Sequence, residues 1–218
     1  MITGTESGWV AVTQRRVHFD HRGEEGDYLD ARWMAHLTDS RLLLVPNNLP
    51  AARHMLANVP LTAIILSGGN DLPGASHRTD LAPERDAVED WLLGMAEQQL
   101  VPVIGICHGA QVIAVRHGAC LAEGSSQHAG TRHLVRTVAQ TPWGWPPTFT
   151  VTSHHRDVLS AQSFPDDLQV LALAEDSTVE AYAHRHLPWW GLMWHPEREQ
   201  PPATGAHALH HLLHTLTP

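Results

Sequence analysis

The segment Val101-Pro-Val-Ile-Gly-Ile-Cys107-His-Gly109-Ala-Gln111 constrains the fold more than any other stretch of this chain. It opens as an almost unbroken apolar run, the pattern of a strand covered on both faces. Gly105 and Gly109 bracket Cys107, and Gln111-Val-Ile-Ala-Val then reads as the opening of a helix. Strand, sharp turn and helix with a nucleophile at the corner is the logic of the nucleophile elbow, here carrying sulfur. Such a corner lifts the thiol above the sheet and sets it at a helix N-terminus, where unpaired N–H groups and the dipole favour thiolate. Cys107 is therefore the candidate nucleophile. Cys120, in His117-Gly-Ala-Cys120-Leu, has no elbow and no activating neighbour, and is expected to be a packing residue.

The rest of the first half alternates strand and helix. Strands are predicted over Gly8–Gln14, Arg41–Val45 and Leu61–Leu66, with a helical stretch from about Asp27 to Leu37. Pro83 to about Gln99 reads as a helix, with proline in its first turn and Val88, Trp91, Leu92 and Met95 at helical spacing. This alternation specifies a mostly parallel sheet with helices on both faces. The second half is richer in strands, with candidates at 133–138, 148–152, 168–173, 178–182 and 190–194. Thr141–Pro147 reads as a loop, and a final helix is expected from about Ala203 to Leu216. At 218 residues the expectation is one domain spanning 1–218.

Composition excludes several roles. A net charge of −9 argues against a nucleic-acid surface, which needs clustered cations. No apolar run approaches a membrane span, and the first residues lack the features of a secretory leader. Two cysteines give no disulfide framework, so a reducing cytoplasm is the expected location. The chain has no lysine, and we have no physical account of that.

A thiolate needs a base to hold its proton and return it to a leaving group. Among 18 histidines, His195 stands out by position: Trp189–Trp194 is a strand pattern, and His195-Pro-Glu197 begins where it ends. Chemistry collects at the carboxyl ends of parallel strands, so Cys107 and His195 can share one rim. Glu197 is placed to accept the imidazole N–H and fix its tautomer. Gly68-Gly69, after the Leu61–Leu66 strand, and the N–H of His108 are candidate donors to a developing oxyanion.

The elbow, the upstream Leu66-Ser-Gly68-Gly69 and the terminal His195-Pro-Glu197 resemble class I glutamine amidotransferases. Gly68-Gly69-Asn70-Asp71, Arg85-Asp86-Ala-Val-Glu89 and Ser153-His154-His155 are more similar to the gamma-glutamyl hydrolase branch of that family. Closer still, Ile64–Leu72, Thr13-Gln14-Arg15 and Trp194–Glu199 resemble hydrolases of gamma-glutamyl nucleotide amidates from capsule phosphoramidate biosynthesis. The resemblance implies a flavodoxin-like three-layer α/β fold with a small additional β element, a Cys107–His195–Glu197 triad and a gamma-glutamyl thioester. It further implies that Gln111, Ser153, His154, Asn70, Gln14 and Arg15 contact substrate. His108 departs from the family, where Arg or Leu is frequent at this position, so only its backbone role carries over.

His207, His210, His211 and His214 repeat at helical spacing and invite a metal reading. Leu209, Leu212, Leu213 and Leu216 follow two residues behind, so the leucines face the core and the histidines solvent. No metal and no cofactor are expected. Arg85, Asp86 and Glu89 read as ion pairs at the start of an amphipathic helix. Trp143, Trp145, Trp189 and Trp190 could stack a nucleobase, but packing is preferred. The expected partner is a small gamma-glutamyl amide, with no nucleic acid and no membrane; a homodimer stays open. The alternatives are a glutaminase subunit passing ammonia to a separate synthetase, a hydrolase of another amide such as gamma-glutamyl-aminobutyrate, or a catalytically dead binding relative, which the intact Cys107, His195 and Glu197 argue against.

Overall fold

The computed structural model describes residues 8–38, 40–76, 78–124, 126–141, 144–199 and 204–205. In chain order the first half holds β1 (Trp9–Thr13), β2 (Arg15–Phe19), β3 (Glu24–Tyr28), α1 (Trp33–His36), β4 (Arg41–Val45), α2 (Leu49–Leu56), β5 (Leu61–Leu66), α3 (Pro83–Gln99), β6 (Val103–Ile106) and α4 (His108–Arg116). The second half adds β7 (Leu121–Glu123), β8 (Ala129–Thr137), β9 (Thr148–His154), β10 (Asp157–Leu159), β11 (Leu168–Ala174), β12 (Val179–His184) and β13 (Trp189–Leu192).

Nine strands join in the order β4-β1-β5-β6-β13-β12-β11-β8-β9. The first five are mutually parallel, and β12, β11, β8 and β9 extend the sheet antiparallel. Counted in chain order, the parallel strands lie 2-1-3-4-5, the flavodoxin-like arrangement. Two ribbons, β2–β3 and β7–β10, supply the additional β structure.

Side-chain alternation explains the two-sided burial. Val10, Val12, Ile65, Ile104 and Ile106 join one apolar cluster, whereas Ala11, Ile64, Leu66 and Val103 join the other. Helices α2, α3 and α4 all pack on the second face, through residues such as Leu56, Val88, Leu92 and Ile113. Among the described residues the first face is covered by Trp33, Leu37, Trp145, Phe149 and Trp194.

Four expectations need correction or extension. Of the helix expected over 27–37 only the four-residue α1 forms; Asp27 and Tyr28 instead end β3, the second strand of a β-hairpin that precedes it. Gly23 makes its turn at φ +61°, and Arg16 bridges to Glu25 and Asp27 across the ribbon. A polar, half-exposed ribbon carries too little apolar alternation to be seen in the sequence. Helix α2 was not foreseen, although Asn48 caps it by accepting from the Ala51 N–H and Pro50 opens its first turn. Cys120 is exposed, because it lies in the turn beyond α4 and not inside the core. The helix expected over 203–216, with its histidine face, lies outside the described residues apart from 204–205.

Candidate active site

Topology alone brings the expected residues together. Strand β6 lies between β5 and β13, and all three run in the same direction. Their carboxyl ends therefore release Ser67–Asn70, Cys107 and Met193–His195 side by side at one rim.

Cys107 occupies the corner between β6 and α4 with φ 51° and ψ −103°, a backbone conformation that non-glycine residues rarely adopt. Its N–H donates to the Leu192 carbonyl of β13 and its carbonyl accepts from Gln111 N, which holds the corner from both sides. The bracketing glycines make the turn sterically possible. A Cβ on Gly105 would lie 2.5 Å from the Gly109 carbonyl carbon, and one on Gly109 would collide with the Leu66 carbonyl.

Next to the thiol stands His195, buried, with its Nδ1 2.6 Å from Oε1 of Glu197. That contact leaves Nε2 for the thiol. Burial opposes protonation of His195, but the charge and hydrogen bond of Cys107, reinforced by Glu197, raise its pKa to about 10. Gly68 completes the cluster: a Cβ there would lie 2.7 Å from His195 Cε1 and 3.6 Å from Cys107 Cβ. The His154 ring stands edge-on to His195, 5.4 Å away. Burial and the nearby Arg198 and His195 lower its pKa, which favours the neutral form.

The Gly68–Gly69 loop is held from behind by a buried charge network. Arg85 donates from Nη1 to the carbonyls of Gly69 (2.6 Å) and Gly68 (3.3 Å) and to Asn70 Oδ1 (3.2 Å), and from Nη2 to the Ser67 carbonyl (2.5 Å). Since the peptide unit is planar and trans, those carbonyl directions turn the N–H groups of Gly69 and Asn70 to the opposite side of the loop. Glu89 accepts from Arg85 Nε and from Thr13 Oγ1, and Thr13 Oγ1 in turn accepts from the Ser67 N–H. The His108 ring spans the Asn70 carbonyl and Glu89 Oε2. Burial opposes the charge on Glu89, yet Arg85 and His108 hold its pKa down at about 2.

Arg85 and Glu89 form the expected ion pair at the start of α3, at 2.9 Å, but both are 0% exposed, so the pair faces the core and not solvent. The missed signal was spacing: Arg85, Val88, Glu89 and Leu92 fall at i, i+3, i+4 and i+7, the stripe that α3 turns to the core.

A cleft of about 380 Å³ opens over this rim. Of the expected residues, Cys107, His195, Gly68, Gly69, His108, Asn70, Gln111, His154 and Arg15 line it. Glu197 stands behind His195. Ser153 and Gln14 do not line it: Ser153 Oγ donates to the His128 carbonyl, and Gln14 Nε2 to the Val45 carbonyl. Sequence reasoning missed Arg156 and Arg198, which also line the cleft; Arg156 is exposed and has no ion-pair partner among the described residues. Trp145 and Trp189 belong to the core, Trp190 packs against it, and Trp143 lies outside the described residues. Beside His155 at one wall of the cleft, His128, His133 and Glu180 each place a metal-ligating atom within 4.8 Å of the others.

A cysteine elbow, a histidine–glutamate pair and a braced Gly-Gly loop on a flavodoxin-like sheet define the class of site. The chain belongs to the glutamine amidotransferase class-I family, whose model matches residues 32–214. It is 29% identical over 199 residues to the gamma-glutamyl-CDP-amidate hydrolase of Campylobacter jejuni, covering 88% of this chain and 90% of that one. It is 32% identical over 160 residues to the glutamine-hydrolyzing subunit of GMP synthase from Methanospirillum hungatei, covering 71% and 72%. A crystal structure described provisionally as a GMP synthase subunit from Thermoplasma acidophilum superposes with a TM-score of 0.69 at 19% identity, over 96% and 94% of the chains, which supports the fold. No described helix is long and apolar enough to cross a membrane.

Proposed function

We propose that this protein is a cysteine-dependent hydrolase that cleaves a gamma-glutamyl amide through a thioester on Cys107. The carrying observation is the position of Cys107 at a strained corner between the Gly68–Gly69 loop and the His195–Glu197 pair. Cys107 Sγ attacks the amide carbon, and the carbonyl oxygen becomes an oxyanion held by the N–H groups of Gly69 and His108, with Gly68 shaping the loop. The imidazolium of His195 protonates the leaving nitrogen, and Glu197 holds the ring in the productive tautomer. Water, deprotonated by His195, then hydrolyses the thioester and releases glutamate.

In this reading Gln111, His154, Asn70 and Arg15 contact the substrate from the cleft. Ser153 and Gln14 act from behind, through the His128 and Val45 carbonyls they hold. The whole chain, 1–218, works as one hydrolase domain in the cytoplasm.

The leaving group we assign is a nucleotide phosphoramidate, so that gamma-glutamyl-CDP-amidate gives glutamate and cytidine diphosphoramidate, a reaction suited to capsule polysaccharide biosynthesis. The 29% identity across nearly the whole of the Campylobacter jejuni enzyme supports this. So does Arg156, a cation in the cleft with no ion-pair partner among the described residues, which suits a diphosphate. The second reading is a glutaminase subunit delivering ammonia to a synthetase, and the likeness to a glutamine-hydrolyzing GMP synthase component favours it.

Comparing kcat/KM for glutamine, gamma-glutamyl-aminobutyrate and gamma-glutamyl-CDP-amidate decides between them. A hydrolase that draws on the binding energy of its leaving group turns over glutamine poorly. If glutamine is preferred, or activity needs an added synthetase, the second reading replaces the first. If the aminobutyrate amide is preferred, the hydrolase stands and the phosphoramidate assignment falls.

A further inference from the structure

Three histidines converge on one buried carboxylate at the cleft wall. Glu180 stands on β12 between Val179 and Ala181 and is 0% exposed. Its Oε1 lies 3.3 Å from His128 Nδ1, 3.3 Å from His133 Nε2 and 3.4 Å from His155 Nε2. None of these contacts has hydrogen-bond geometry: the three nitrogens and both Glu180 oxygens are buried without a hydrogen-bond partner. Buried polar atoms left without partners are costly, so a cluster of them calls for a missing partner.

The outer ring nitrogens identify what faces the carboxylate. His128 Nε2 is 2.8 Å from Asp176 Oδ2, and His155 Nδ1 is 3.1 Å from the Asp157 carbonyl. An ionised carboxylate and a carbonyl only accept, so the ring protons sit on those nitrogens. The inner ring nitrogens and the carboxylate oxygen thus crowd together at 3.3–3.4 Å without a hydrogen bond between them, a space that a cation fills.

We propose that His128, His133 and Glu180 form a binding site for a divalent transition-metal ion, zinc foremost, with His155 beside it. A tetrahedron with bonds of about 2.0–2.1 Å has edges of about 3.3–3.4 Å, and the distances from Glu180 Oε1 to His128 Nδ1 and His133 Nε2 agree with it. Imidazole nitrogens with one carboxylate suit zinc better than calcium or magnesium. The carboxylate behind His128 is the support that metal-binding histidines use. The ion joins β8 and the turn before it to β12, next to His155 in the segment after β9. The Asp157 carbonyl beside His155 also accepts from the Gln111 side chain at 3.0 Å, so the ion braces the cleft wall and takes no part in bond cleavage.

The test uses untagged full-length protein and elemental analysis. The wild type should carry about one zinc per chain, and Glu180→Gln and His133→Ala should each lower that to about a tenth or less. A chain with His207, His210, His211 and His214 all changed to alanine should keep its zinc. Chelator treatment should lower Tm and added Zn2+ should restore it. Co2+ added to chelator-treated wild type should give the intense visible bands of four-coordinate cobalt, a readout that needs no variant to fold. Substoichiometric metal with no Zn2+-dependent change in Tm overturns the proposal. So does zinc that survives Glu180→Gln and His133→Ala but is lost with the C-terminal histidines.

Discussion

Arg85 Nη1 donates a 2.6 Å hydrogen bond to the carbonyl of Gly69, so a fully buried cation on α3 sets the peptide planes of the loop beside Cys107. The relationship makes Arg85 a positioning residue: it touches the loop that faces the reacting atoms and not the atoms themselves. Arg85→Met should lower kcat by about tenfold or more, below the 10²–10³ of losing an oxyanion donor outright. Iodoacetamide alkylation of Cys107 should stay within a few-fold of wild type, because the elbow and His195 are untouched. The change also strands Glu89, at about 3–5 kcal/mol of stability. A stable Arg85→Met protein with unchanged kcat removes the loop from the mechanism.

Glu89 gives a pH test of the same network. Its pKa falls from the ordinary 4.5 to about 2, so its contribution is present above about pH 4.5 and is lost as pH falls toward 2. Urea midpoints taken across that window should drop steeply for wild type. Glu89→Gln should start less stable and show a flatter acid limb. Parallel limbs would mean that Glu89 does not carry the linkage.

His195 titrates in the opposite sense. Its pKa is raised from 6.5 to about 10, so the stability it contributes is complete below about pH 6.5 and is lost as pH rises through about 10. Because the Cys107 charge is the largest favourable cause, Cys107→Ala should return the His195 transition toward the ordinary range in an NMR titration. An unchanged transition contradicts an imidazolium–thiolate pair. His195→Ala should nearly abolish turnover, and Glu197→Gln should lower it by less, since the carboxylate orients the ring without transferring a proton.

The two cysteines separate by labelling. Cys120 is exposed, so it reacts with small thiol reagents as Cys107 does. Cys120→Ser should keep full activity and lose it in step with modification of Cys107, followed by peptide mapping. Inactivation that tracks Cys120 in the wild type would assign the chemistry to the wrong thiol.

What the sequence revealed follows from how local each signal is. The elbow was legible because apolar strand, two glycines and helix lie within Val101–Gln111. The rim holding Gly68, Cys107 and His195 was legible because two-face-buried strands at 61–66, 101–106 and 189–194 require a parallel sheet. The Arg85–Glu89 pair was legible as an ion pair but its burial was not, because charge outweighed register, although Val88 and Leu92 mark the stripe as buried. The metal-ligating cluster was invisible: Glu180 meets His128, His133 and His155 from far along the chain, among 18 histidines. The β2–β3 ribbon escaped because its stability lies in cross-strand pairs such as Arg16 with Glu25 and Asp27.

The central claim is the covalent intermediate, and acid-quenched mass spectrometry during turnover of a gamma-glutamyl amide tests it most directly. Wild-type protein should gain one glutamyl group that peptide mapping places on Cys107, and Cys107→Ala should gain none and turn over nothing. An adduct on another residue, or turnover that persists in Cys107→Ala, would contradict the account.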